Sequence, residues 1–290
     1  MIVLLLLLAH LIADFWLQTD VMVKNKMKQL KKHMLHHLIT TGLALTIIWT
    51  YHFHFTDIVG YLLFPLIFIV VTHLIIDVLK IKLLDTIKTT DTNSLKRLWF
   101  FLVDQLLHVA VIIITCISFF DMKATTMMTM LIESDGTSSL GVVNVLLFII
   151  IIFILATSVS GHIIKLLVGS LPSNLANFEG EFSIKNKALE FNDRNKPNSE
   201  SCFTEEYQYF TYSNPLHSRG KLIGYIERLL VISLTVVGAY PSIAFIIAAK
   251  SIARFKQLDD RNWAEYFLLG TLSSIFLGLM LGLLVKAILV

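Results

Sequence analysis

Four stretches of the chain pair ionisable side chains four residues apart: His10 with Asp14, His33 with His37 (His36 beside them), His73 with Asp77, and Asp104 with His108. On an α-helix that spacing puts both members on one face. Imidazole nitrogens and carboxylate oxygens are ligands for zinc, manganese and non-haem iron. Helical bundles build two-metal sites by projecting such groups inward from four helices. His10, Asp14, His37, His73, Asp77 and His108 are therefore expected to hold a divalent metal ion, zinc or manganese first, some of them by orienting another ligand. Asp104 is expected to accept a proton. Two other readings of the same residues stay open, a proton or ion relay and purely structural polar packing.

The elements that must carry these pairs are membrane spans. Only 16% of the 290 residues are charged and 56% are apolar, with a mean hydropathy of +0.73. A soluble domain carries about 25% charged residues, so a water-exposed globule, a coiled coil and a disordered chain are excluded. A spanning helix needs about 20 mostly apolar residues. Such stretches lie at 1–22, 34–54, 57–79, 98–120, 140–169, 221–239, 241–257 and 263–290, which predicts an all-α polytopic bundle of about eight transmembrane helices. The first is read as a retained span, because it lacks a basic start and a small-residue cleavage site and carries His10 and Asp14. The seventh is the weakest span, opened by Pro241 and carrying Lys250 and Arg254.

Alternate connections hold 21 of the 24 Lys and Arg residues. Cytoplasmic loops are the ones enriched in these residues, so both termini are expected outside and all four basic connections inside. Under that orientation all four pairs fall within the inner ~15 Å of the bilayer at 1.5 Å per residue. Charged side chains at membrane depth mark function by default.

Four regions follow: a four-helix module at 1–120, the fifth helix with its preceding outer loop at 121–169, a cytoplasmic polar loop at 170–220, and a three-helix region at 221–290. The polar loop mixes seven acidic residues with basic ones, Asn, Ser and three prolines, a composition that favours a flexible or loosely docked segment. In the last span Gly270, Ser274, Gly278 and Gly282 form a small-residue ridge for close helix packing, within the chain or in a homodimer. Arg228, Lys250 and Arg254 suggest a cationic pocket for a phosphate or carboxylate. Pairing of Glu227 with Lys250 or Arg254 is the structural alternative. Lys80 could join the pocket or snorkel to the interface.

Cys116 and Cys202 make neither a disulfide framework nor a cysteine metal site. No Walker A sequence, nucleophile elbow, dinucleotide fingerprint or His-Glu-x-x-His motif occurs, and no basic-aromatic stretch suggests a nucleic-acid partner.

The run His10-Leu-Ile-Ala-Asp14-Phe-Trp-Leu-Gln18, the histidines at 36–37, His73-Leu-Ile-Ile-Asp77 and Asp104-Gln105-Leu-Leu-His108 together resemble the bacterial membrane family called domain of unknown function 3307. The resemblance covers roughly the first 120 residues. It implies a bacterial multi-pass protein of the inner membrane and no established activity.

The leading expectation is a metal-dependent hydrolase whose site opens to the cytoplasm, acting on a lipid-like or phosphorylated substrate. A bound metal lowers the pKa of its water toward 7 and polarises a phosphoryl or carbonyl oxygen. A transporter or channel is the runner-up, and a structural or stress-response membrane component the third reading.

Overall fold

The computed structural model describes residues 1–19, 22, 26–87, 94–122, 141–169, 181–188, 203–210, 217–255, 258 and 261–289. Lys24, Lys88, Lys123, Asn192 and Cys202 lie outside them. Among the described residues there are eight helical rods. Helix α1 runs Ile2–Leu11 and continues through a π-helical turn, Ile12–Trp16. Helix α2 is Lys26–His52. Helix α3 begins with a π turn, Val59–Leu63, and continues as Phe64–Ile87. Helix α4 is Ser94–Phe119. Helix α5 joins Val142–Ile154, a π turn at Leu155–Val159, and Ser160–Val168. After the polar segment come α6 (His217–Val237), α7 (Tyr240–Ala253) and α8 (Arg261–Leu289).

Four of these are long and apolar enough to cross a membrane: Val59–Leu84, Leu95–Phe119, Val142–Val168 and Trp263–Leu289. Ile2–Trp16 and Tyr240–Ala253 are apolar but shorter. Bulky apolar side chains line the outside, among them Ile67, Val71, Ile75 and Leu79 on α3 and Leu272, Phe276, Met280 and Leu283 on α8. Water would not tolerate contiguous apolar surface on that scale, whereas hydrocarbon does. The chain is a helical protein of membrane type.

Backbone chemistry explains the sharp reversal between α6 and α7. Gly238 adopts φ +81°. Its N–H bonds the Thr235 carbonyl, and the Ala239 N–H bonds that of Leu234. This is a Schellman C-cap, which needs a left-handed residue, and Pro241 in the first turn of α7 prevents α6 from continuing.

Three apolar clusters hold the bundle. Ile2, Leu6, Ala44, Leu45, Ile48, Ile69, Ile112 and Cys116 join α1–α4 in a dry core. Leu8 and Leu11 of α1 meet Leu147, Ile151 and Ile154 of α5. Phe148, Ile152 and Ala156 of α5 meet Ile232 of α6. Helix α5 is thus a wall shared by the N-terminal module and the C-terminal helices. The small ridge of α8 is taken up against α6 within the chain: a Cβ on Gly282 would sit 2.6 Å from Thr235 Cβ, and one on Gly278 2.9 Å from Val231 Cγ1.

Within the segment expected to be a loop, β1 (Glu181–Ala188) pairs antiparallel with β2 (Phe203–Phe210), from Glu181↔Phe210 to Ala188↔Phe203. Aromatic and apolar residues alternating with polar ones, as at Phe182 and Ile184 or Tyr207 and Tyr209, carry the period-two signal of a strand. The Asn, Ser and Glu content around them obscures it.

Candidate metal centre

Helices α1 to α4 alternate in direction, and the order within each pair inverts with them. The descending α1 and α3 read His then Asp, whereas the ascending α4 reads Asp then His. The result is two stacked layers, one helical turn apart. His10, His37, His73 and His108 form the first, one from each helix, with ring centroids 5.7 Å apart for His10–His37, 5.0 Å for His10–His108, 3.6 Å for His37–His73 and 4.1 Å for His73–His108. Asp14, His33, Asp77 and Asp104 form the second. All are buried except Asp14, whose side chain keeps 11% exposure.

Three ring nitrogens surround one carboxylate oxygen. His37 Nε2 donates to Asp14 Oδ1 at 2.8 Å, while His33 Nε2 and His73 Nε2 lie 3.4 and 3.9 Å from the same oxygen. The His33 and His73 nitrogens are 3.3 Å from each other. Ligands at about 2.1 Å from a tetrahedral ion lie about 3.4 Å apart, and these separations bracket that edge. The four ligand atoms of Asp14, His33, His37 and His73 all lie within 4.8 Å of one another, and so do those of His10, Asp14 and His108.

Unsatisfied polar atoms point the same way. His10 Nε2 and both ring nitrogens of His108 are buried without a hydrogen-bond partner. Such groups cost about 1–3 kcal/mol each unless something compensates them. A metal ion would supply that compensation, so the donor set fits one.

The surroundings orient the cluster. Asp77 Oδ2 lies 3.3 Å from His33 Nε2 and 3.6 Å from His73 Nε2. Gln105 Nε2 donates to Asp14 Oδ2 at 3.1 Å and also reaches Asp104 Oδ2. Lys80 Nζ donates to Asp104 Oδ2. The other oxygen of Asp104 has no hydrogen-bond partner and lies 4.0 Å from His108 Nδ1. On the side away from the carboxylates, a cavity of about 10 Å³, roughly the room of one water, is lined by the four layered histidines and by Leu6, Thr41, Ile69, Val111 and Ile112.

All six expected ligands and Asp104 are thus brought together. The sequence marks His33 only as the partner of His37, yet it stands among the nitrogens facing Asp14. The inversion of pair order with helix direction is the signal that could have placed it. His36 is half-buried and contributes no atom to either ligand group.

The three expected substrate cations each contact a different partner. Arg228 is buried, and its guanidinium donates to the carbonyls of Ala156 and Thr157 and to Ser274 Oγ. These carbonyls lie in the π turn of α5, where wider hydrogen bonding disturbs the regular ladder. Lys250 Nζ donates to Glu227 Oε2 at 2.6 Å, the pairing foreseen as the structural alternative. Arg254 stacks over the Trp263 ring at 5.6 Å. A substrate role would require each cation to exchange these partners.

Residues 2–136 match the model of the family described as Protein of unknown function (DUF3307). The match covers the four-helix module and every residue of the His/Asp cluster. No curated protein and no solved structure matches the chain.

Proposed function

We propose that the protein is a metal-dependent hydrolase of the bacterial inner membrane that acts on a lipid-linked or phosphorylated substrate, with eight spans and both termini outside. The observation that carries the metal reading is the convergence of His and Asp ligand atoms on Asp14, together with the unpartnered nitrogens of His10 and His108. When bound, a divalent ion would polarise a phosphoryl or carbonyl oxygen and acidify water. The chain's own residues supply the rest. Lys80 holds one oxygen of Asp104 and leaves the other facing His108, where Asp104 can take up a proton. Lys80 and Asp14 are the partly exposed members of the cluster, so they mark its access side.

A relay would need a continuous polar path to the opposite face. Beyond the four histidines, the core of α1–α4 offers apolar side chains, with Thr41 at the cavity and the backbone-bonded Thr115 as its buried hydroxyls. That favours enzyme over transporter. Protein purified without chelator is expected to carry a transition metal, and His73→Ala or Asp77→Ala to lose it without losing the fold. In vesicles, proton or divalent flux that Asp14→Asn abolishes would instead establish transport. Reporters at either terminus should read as extracytoplasmic and one near Asn192 as cytoplasmic.

A further inference from the structure

Asp14 presents its two oxygens to two different sets of histidines. Oδ1 faces Nε2 of His33, His37 and His73. Oδ2 lies 3.7 Å from His10 Nε2, whose donor set with Asp14 is completed by His108. The ring nitrogens without a hydrogen-bond partner are not spread evenly. His10 Nε2 and both nitrogens of His108 belong to the second set, while the first contributes only His33 Nδ1. Every Nε2 of the first set has a polar neighbour within 3.4 Å.

We infer that the cluster is a two-metal centre bridged by the Asp14 carboxylate, with a closed position formed by Asp14, His33, His37 and His73 and an open one formed by Asp14, His10 and His108. This rests on the metal reading proposed above and deepens it. Four protein ligands is the pattern of a saturated site, and three is the pattern of a site that leaves a coordination position for the reaction. The π turn that carries Asp14 contributes locally: Leu17 N–H bonds the Ile12 carbonyl five residues back. π bulges of this kind recur at functional sites.

Charge points to the substrate class. Among the described residues the cluster holds the carboxylates of Asp14, Asp77 and Asp104 among the imidazoles, with Lys80 paired to Asp104. Two divalent ions would outweigh those carboxylates and leave an excess of positive charge. A phosphoester neutralises that excess, and paired ions suit in-line displacement at phosphorus, where both the attacking and the leaving oxygen need stabilising. The centre is therefore assigned to phosphoester substrates, with Lys80 held beside it by its ion pair with Asp104.

The test uses the full-length protein in detergent, stripped with chelator and titrated with Mn²⁺ or Zn²⁺ alone. Two ions per chain are expected, with an exchange-coupled manganese resonance in place of the six-line spectrum of an isolated ion. His108→Ala should reduce the stoichiometry to one and restore the six-line spectrum. His108→Gln, closer in volume, repeats the measurement should the alanine variant fail to stay monodisperse. One ion per chain in the unaltered protein, with a six-line spectrum that His108→Ala and His108→Gln leave unchanged, overturns the bridge and leaves the metal reading standing. No binding of either ion overturns both.

Discussion

The two halves of the molecule both bury charged side chains, and they treat them in opposite ways. Among the described residues of the C-terminal half, the buried Arg228 meets the carbonyls of a π turn and the half-buried Lys250 the carboxylate of Glu227. In the N-terminal module five histidines and three aspartates crowd one spot, and several ring nitrogens face each other or lack a hydrogen-bond partner. A saturated buried charge ties helices together. A convergent, under-satisfied cluster has ligand capacity left over, and that difference separates a fold-holding arginine from a candidate centre more surely than burial does.

The comparison is broken most directly at Asp14. Asp14→Ala should abolish metal binding altogether, since this carboxylate belongs to both ligand sets. Elemental analysis of the purified variant checks it, and unchanged metal content would mean that the cluster is packing like the rest. Arg228→Ala should do the reverse. It is expected to keep metal while losing about 3 kcal/mol of stability, within the range for breaking a buried charged interaction, measured as a lower midpoint of denaturant unfolding in detergent.

The glycine ridge sharpens the contrast on the C-terminal side. Gly282→Ala forces a methyl against the Cβ of Thr235, and overpacking of that kind costs about 1–3 kcal/mol. Gly270→Ala meets Val168 Cγ2 only at 3.9 Å and should be nearly neutral. Equal effects at the two glycines in an unfolding titration would show that the ridge is not seated as described. The smallest effect belongs to the exposed pair of Arg261 and Glu265 on α8. Arg261→Ala should change stability by less than about 0.5 kcal/mol, as surface pairs do, and leave metal content untouched.

Much of the cluster is legible in the sequence. His10, Asp14, His37, His73, Asp77, Asp104 and His108 stand out because helical spacing is local and an ionisable pair within an apolar run must find polar company in the interior. The cationic residues are harder. Arg228, Lys250 and Arg254 all fall toward the cytoplasmic side of the spans expected from the sequence, so sequence alone groups them. In the structure Arg228 turns into the interface with α5, while Lys250 turns to α6 and Arg254 to α8. Depth along a helix is local arithmetic, but direction around it depends on which neighbour packs there.

That distinction also separates what the amino-acid order determined from what the fold decided. Composition alone made this a membrane-type chain, since so apolar a sequence has no stable surface in water. Hydropathy located the apolar part of each helix, because backbone hydrogen bonds in hydrocarbon must be satisfied within each segment. Helical periodicity put each His/Asp pair on a single face. Only tertiary packing brought His33 beside Asp77, turned Lys80 onto Asp104, and directed the two oxygens of Asp14 toward different histidines. Most of those contacts join residues far apart in the chain, and their geometry follows from the rotation and spacing of neighbouring helices, which no local spacing rule encodes.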